Sequence, residues 1–178
     1  MNKLSPQQFV EKYYPYAAEC EKNTGLPLEI SLCQGALETG WSGSTPGNMF
    51  FGEKAPIGWK GKKQLIRTTE IMKDGNQSHR FPKVWSIDPR PDGKYLYVVD
   101  DWFKAFDSIT ESFESHARLI TGNNRYMPVL AAKPNIDKMF EQLQACGYAT
   151  ATNYADTLKS IYKMIKPHIE AIEATIKP

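Results

Sequence analysis

Cysteine is scarce in this chain: of 178 residues only Cys20, Cys33 and Cys146 carry a thiol. An odd, sparse set excludes a disulfide framework, and the spacing matches no zinc or redox motif. All three lie in apolar-patterned helical stretches, so buried free thiols are expected. Charge of one sign is also lacking. With 22 basic and 20 acidic side chains the net charge is +2, too balanced for a nucleic-acid binder. No apolar run approaches the roughly 20 residues of a membrane-spanning helix. There is no glycine-rich phosphate loop and no metal-ligand cluster, so neither cofactor nor metal is expected. The first residues, Met1 to Gln8, contain no apolar signal-peptide stretch. The expectation is a chain made without an export signal or one whose signal was trimmed. No internal repeat, low-complexity tract or long linker breaks the sequence, which suits a single domain.

What is present is a globular mix, with 41% hydrophobic and 12% aromatic residues, enough for a real core. Helical patterning occupies the first part of the chain. Ser5-Pro6-Gln7-Gln8 is a capping box with proline at the first helical position. Phe9, Val10, Tyr13, Ala17 and Cys20 follow at helical spacing up to Gly25. Pro15 is expected to kink or divide that helix. Pro27 opens a second helix that Gly40 stops. From about residue 60 to 106 the signals turn to β: Leu65 to Met72, Lys83-Val84-Trp85 and Tyr95 to Val99, with turns at Asp74-Gly75-Asn76 and Asp92-Gly93. A small antiparallel sheet is predicted, or alternatively one hairpin plus an ordered loop from Ser86 to Asp92. Helices return from Ser108, and Pro167 is expected to interrupt the last one. The class is α+β: a helical lobe at about 1–59 and 107–178, with a β-lobe at about 60–106.

Two carboxylates stand out. Glu38 ends a helix and shares a polar stripe with Gln34 and Ser31. Gly35, one turn earlier, is expected to leave open space beside it. A carboxyl group pressed against apolar neighbours favours its protonated form, as a general acid requires. Glu70 sits mid-strand with Ile66, Thr68 and Met72 on its face, a placement suited to a two-carboxylate cleft. Taken singly, each reads as an ordinary solvent-facing glutamate. His116, on an apolar helix stripe, reads as structural. Cys33, mid-helix and packed, is a poor nucleophile. Trp41, Phe50, Phe51, Trp59, Tyr126 and Tyr148 lie beside Gly, Asn or Pro in loops. Exposed there, they would stack on sugar rings.

Taken together, these segments resemble glycoside hydrolase family 73. Gln34-Gly35-Ala36-Leu37-Glu38-Thr39-Gly40-Trp41 is similar to its Q-x-A-L-E-[ST]-G-W motif. Gly47-Asn48-Met49-Phe50-Phe51-Gly52-Glu53-Lys54 resembles N-N-[LM]-F-G-[IM]-K with one extra residue. Trp59 with Gly61 resembles W-x-G, and Thr68-Thr69-Glu70 the T-x-E strand. Arg125-Tyr126 resembles the R-Y after the next helix. Leu143 to Thr150 with Tyr154-Ala155 resembles the G-Y-A-T-D-x-x-Y-A ending, without its Asp. The ordered set covers about residues 5 to 165.

The resemblance implies a lysozyme-like α+β fold with a cleft, formed as a single catalytic domain. It implies a peptidoglycan endo-β-N-acetylglucosaminidase with Glu38 as general acid and Glu70 as the second carboxylate. Tyr126 would line the cleft, with Tyr148, Trp41, Gln34, Phe51 and Trp59 as further substrate-binding candidates. The partner implied is the peptidoglycan glycan strand, met by a monomer at the bacterial cell wall, in the periplasm or outside the cell. Delivery would be by lysis, by a secretion system or through a trimmed signal. Two alternatives stay open: a lytic transglycosylase or muramidase of the same fold, and a non-catalytic glycan-binding module. The stretch from Lys73 to Asp101 is longer than the family pattern.

Overall fold

The computed structural model describes residues 3–176. The chain forms two compact units, Met1–Phe51 with Asp107–Pro178, and Gly52–Phe106. The second unit thus begins at Gly52, ahead of the first β signals.

The first unit is helical: α1 (Pro6–Thr24), α2 (Leu28–Thr39), α3 (Ile109–Thr121), α4 (Met127–Ala131), α5 (Ile136–Ala145) and α6 (Tyr154–Ile176). The local chemistry that starts and stops these helices is visible in the caps. Ser5 accepts from the Gln8 amide while the Gln8 side chain returns to the Ser5 amide, the reciprocal box expected of α1. At α3, Ser108 accepts from the Glu111 amide, but the Glu111 side chain turns to the Asp107 amide instead. Gly25 and Gly40 take left-handed conformations at the ends of α1 and α2.

The helical core is built where apolar stripes meet. Phe9, Tyr13 and Ala17 of α1, Ile30, Leu32 and Ala36 of α2, Phe113 and Ile120 of α3, and Leu158 and Ile165 of α6 are all fully buried. Each large side chain removed from water contributes about 1.5–3 kcal/mol.

That burial explains why α1 is not divided at Pro15 and α6 is not interrupted at Pro167. α1 runs through Pro15 and α6 through Pro167 without ending. Both prolines face solvent, on the side where an unbonded carbonyl costs least, and the buried residues on either side keep the helix continuous. Cys20 and Cys33 are buried as expected. Cys146, where α5 ends, is only half-buried.

The second unit carries β1 (Lys63–Met72), β2 (Lys83–Pro89) and β3 (Tyr95–Lys104) as an antiparallel sheet ordered β1-β3-β2. β2 continues to Pro89, so the hairpin-plus-loop alternative is excluded. In the β1–β3 register Thr68 faces Val99, Glu70 faces Tyr97 and Ile66 faces Asp101. A bulge at Trp85 breaks the β2–β3 register between Val84 and Ser86. Trp85 stands out from the sheet between Arg67 and Lys83, whose charges lie 3.7 and 3.5 Å from its ring centroid.

Candidate active site

Glu38 occupies the last turn of α2. Two consecutive left-handed residues, Gly40 (φ 59°) and Trp41 (φ 65°), then turn the chain sharply away. A left-handed tryptophan is uncommon and strained. It is held by the Trp41 amide bonding to the Ala36 carbonyl, by the Leu4 amide bonding to the Trp41 carbonyl, and by edge contact with Phe9 at 5.4 Å. Trp41 is therefore largely a packing residue.

The Glu38 side chain reaches solvent, yet the protein around its carboxyl group displaces enough water to raise its pKa above the ordinary value. No cation occupies the last turn of α2. The negative end of the helix dipole further disfavours charge at that position.

Behind it lies a buried polar and aromatic wall. Gln34 is fully buried and donates from Nε2 to Tyr154 Oη at 2.8 Å. Burial, joined by the nearby Glu38 charge, holds the Tyr154 phenol protonated well above its usual range despite that bond. Tyr154 stacks on Tyr148 (5.6 Å, 23°), and Tyr126 lies 6.1 Å from Tyr148. Phe51 stacks on His116 at 3.8 Å, and a 2.8 Å hydrogen bond joins His116 Nε2 to Tyr148 Oη.

This arrangement corrects several expectations. Phe50, Phe51 and Tyr126 are buried, not exposed loop aromatics, because the loops that carry them fold into the helical core. A Cβ on Gly35 would meet Phe50, Phe113 and Phe51 at 3.6–3.8 Å. Gly35 therefore faces the core rather than open space beside Glu38. Gln34 and Ser31, which share the polar stripe with Glu38, are fully buried, and Gln34 serves as a bridge to Tyr154. Tyr148, half-buried, is placed by Arg125, which donates to the Cys146 and Gly147 carbonyls at 2.5 and 2.8 Å. Gly147 has φ 70° and sits so close to Arg125 that a Cβ would lie 2.5 Å from Nη2.

In the second unit, Glu70 shares the inner face of β1 with Ile66, Thr68 and Met72. Its Oε1 lies 2.5 Å from Lys54 Nζ, and the same ammonium is 2.8 Å from Asp101 Oδ2. Partial burial alone would lower the Lys54 pKa, but its bonds to Asp101 and Glu70 outweigh that and raise it. Trp59 is half-buried. It donates from Nε1 to the Lys62 carbonyl, and Lys104 sits 4.6 Å from its ring centroid. A Cβ on Gly61 would lie 2.7 Å from the Trp59 ring, so the W-x-G spacing is a steric requirement. Glu38 thus has a partly desolvated carboxyl group and no basic residue in its own helix turn, whereas Glu70 has an ammonium at hand.

Sequence reading placed Tyr154 in the ending motif without naming it a site residue, and it missed the Lys54–Asp101 pair. Lys54 was visible as the last residue of the motif segment. Nothing local marked Asp101. Among the described residues no group of side chains could hold a metal ion, and no helix is long and apolar enough to cross a membrane.

A family model described as mannosyl-glycoprotein endo-beta-N-acetylglucosaminidase matches residues 14–167. The peptidoglycan hydrolase FlgJ of Vibrio parahaemolyticus is 26% identical over 91% of this chain and 48% of its own length. The chain spans about half the length of the curated relatives it matches. The solved glycoside hydrolase domain of Salmonella typhimurium FlgJ superposes with a TM-score of 0.70 at 26% identity, covering 97% of this chain and 96% of that domain. A mutant of the peptidoglycan hydrolase from Sphingomonas sp. A1 gives 0.66 at 29% identity, covering 93% of this chain and 99% of that one.

Proposed function

The chain belongs to the glucosaminidase family of glycoside hydrolases, and from that premise we propose that it is a single catalytic domain cutting peptidoglycan at the β-1,4 bond between N-acetylglucosamine and N-acetylmuramic acid. The observation that carries this reading is the state of Glu38. A carboxyl group that is partly desolvated, has no basic residue in its own helix turn and sits at the negative end of a helix holds its proton more readily than an ordinary glutamate.

In the reaction Glu38 protonates the glycosidic oxygen as the C1–O bond breaks. Positive charge develops at C1 and the ring oxygen. Glu70 either takes the proton of the water that attacks C1 or stabilises that charge while the Glu38 carboxylate, having given up its own proton, takes the water's. Lys54 fixes the Glu70 carboxylate in one orientation. The product carries a reducing-end N-acetylglucosamine. Tyr126, Tyr148 and Trp41 contribute as a supporting wall more than as open stacking platforms, and Phe51 and Gln34 act only through it. The relatives named as peptidoglycan hydrolases support the substrate class. The site of action is the bacterial cell wall, reached as a monomer.

Mass spectrometry of fragments released from purified peptidoglycan by wild type and Glu38→Gln tests the reading. Fragments with reducing-end N-acetylglucosamine from wild type, and about a hundred- to ten-thousandfold less from the variant, are expected, on the order of what loss of a general acid costs. Fragments ending in N-acetylmuramic acid or its anhydro form would transfer the chain to the muramidases or transglycosylases. Folded wild-type protein that binds walls but releases nothing would make it a binding module.

A further inference from the structure

The sheet of the second unit has a discontinuity along one edge. β2 pairs with β3 only from Tyr95 to Asp100. Beyond it the short segment around Lys54 takes over: Lys54 bridges to Phe103, the Ala55 amide donates to the Trp102 carbonyl, and the Lys104 amide to the Glu53 carbonyl. At the junction the Trp102 amide is satisfied by Asp101 Oδ1 at 2.8 Å. A cavity of about 480 Å³ opens there, between the 55–58 loop and the 79–82 segment, a size suited to a small peptide.

Its walls are apolar where Ile57, Phe81 and Trp102 contribute, and cationic where Lys63 and Arg80 do. Lys63 Nζ lies 4.3 Å from the Trp102 ring centroid. Neither Lys63 nor Arg80 belongs to an ion pair of the described residues. Asp101 also lines the cavity, but its Oδ2 is engaged by Lys54. The cavity therefore presents two cations outside any ion pair of the described residues, beside an apolar shelf. That is a site for carboxylates on a compact chain, not for a neutral sugar. In a peptidoglycan strand the free carboxylates belong to the stem peptide.

We propose that this cavity binds the stem peptide of the wall strand, with Lys63 and Arg80 on its carboxylates and Trp102 under its aliphatic part; this rests on the peptidoglycan reading. Through Asp101 and Lys54 the bound peptide lies two ionic contacts from Glu70. Peptide-bearing strands are thereby seated relative to the second carboxylate.

The test begins with titration of the full chain by synthetic L-alanyl-γ-D-glutamyl-L-lysine, followed by calorimetry and by the Trp102 indole resonance. Saturable binding that moves that resonance is expected. Amidating both peptide carboxylates, or making Lys63→Gln with Arg80→Gln, should weaken binding about tenfold, the loss of one strong charge-assisted contact or more. On wall glycan with intact stem peptides the double variant should lose about tenfold in kcat/KM, and on glycan stripped of peptide it should match wild type. Equal binding of the amidated peptide, no binding at all, or equal losses on both glycans would overturn the proposal. The titration needs no turnover. A chain that binds the peptide but cuts no glycan would sink the hydrolase reading and leave the cavity assignment standing.

Discussion

His116 makes the stability of this protein fall with acid in a way that can be calculated. The side chain is fully buried in α3, stacked on Phe51 and bonded through Nε2 to Tyr148, while Nδ1 has no hydrogen-bond partner among the described residues. A bare lone pair costs less to bury than an unpaired N–H, so the favoured tautomer carries its proton on Nε2 and donates to Tyr148 Oη. Burial lowers the pKa to about 3. The unfolded chain binds a proton near pH 6.5, whereas the folded chain does not until about pH 3. Stability is thus complete above pH 6.5 and is lost as pH falls through the window down to 3. At pH 5 the loss is about 2 kcal/mol, from 1.36 kcal/mol per unit over the 1.5 units below 6.5. For 178 residues that is a drop of roughly 5 °C in Tm.

The assay is urea unfolding of wild type and His116→Gln at pH 8 and pH 5. Glutamine does not titrate and keeps a donor for Tyr148. The carboxylates common to both proteins cancel in the comparison, so wild type should lose about 2 kcal/mol more than the variant. Equal losses in the two proteins would refute the claim that His116 is held neutral by the fold.

Other outcomes follow from the same geometry. Because the Glu38 pKa is raised, the alkaline limb of the kcat/KM profile should lie above the ordinary glutamic acid range. Activity should decline as pH rises through it, and a limb at the ordinary value would contradict the desolvation argument. Lys54→Met removes the cation that Glu70 and Asp101 share. It should cut kcat about tenfold or more while stability changes by about 1 kcal/mol or less, since the ammonium is half-exposed; unaltered kcat in a folded variant would remove Lys54 from the site. Tyr154→Phe leaves the buried Gln34 amide without its acceptor and should cost about 1–3 kcal/mol of stability, read from denaturation midpoints.

Much of the fold was readable because its signals are local. Ser5, Gly25, Gly40 and the Asp-Gly turns act on neighbours a few residues away, and the alternation in Leu65 to Met72 needs only a sheet face to satisfy. Glu38 and Glu70 stand out as candidates because motif residues flank both. What escaped depends on contacts distant in sequence. Whether Pro15 breaks a helix depends on which side the core occupies, and here that side is opposite. Whether Phe51 and Tyr126 are platforms or core depends on how their loops fold back. Asp101 joins Glu70 only through the β1–β3 register and the Lys54 side chain, which no periodicity records.

The helical unit is interrupted in sequence by the β unit, and this dictates an order of events on the ribosome. α1 and α2 emerge first, yet their stripes are completed by α3 and α6, whose residues are translated only after the whole of Gly52–Phe106. The β unit is continuous and is the first part whose contacts can all be made. The two early helices must meanwhile keep Phe9, Tyr13, Ile30 and Leu32 away from other chains. Assembly of the helical core is thus a late, long-range step, and the period before it is when a nascent chain is most exposed to aggregation.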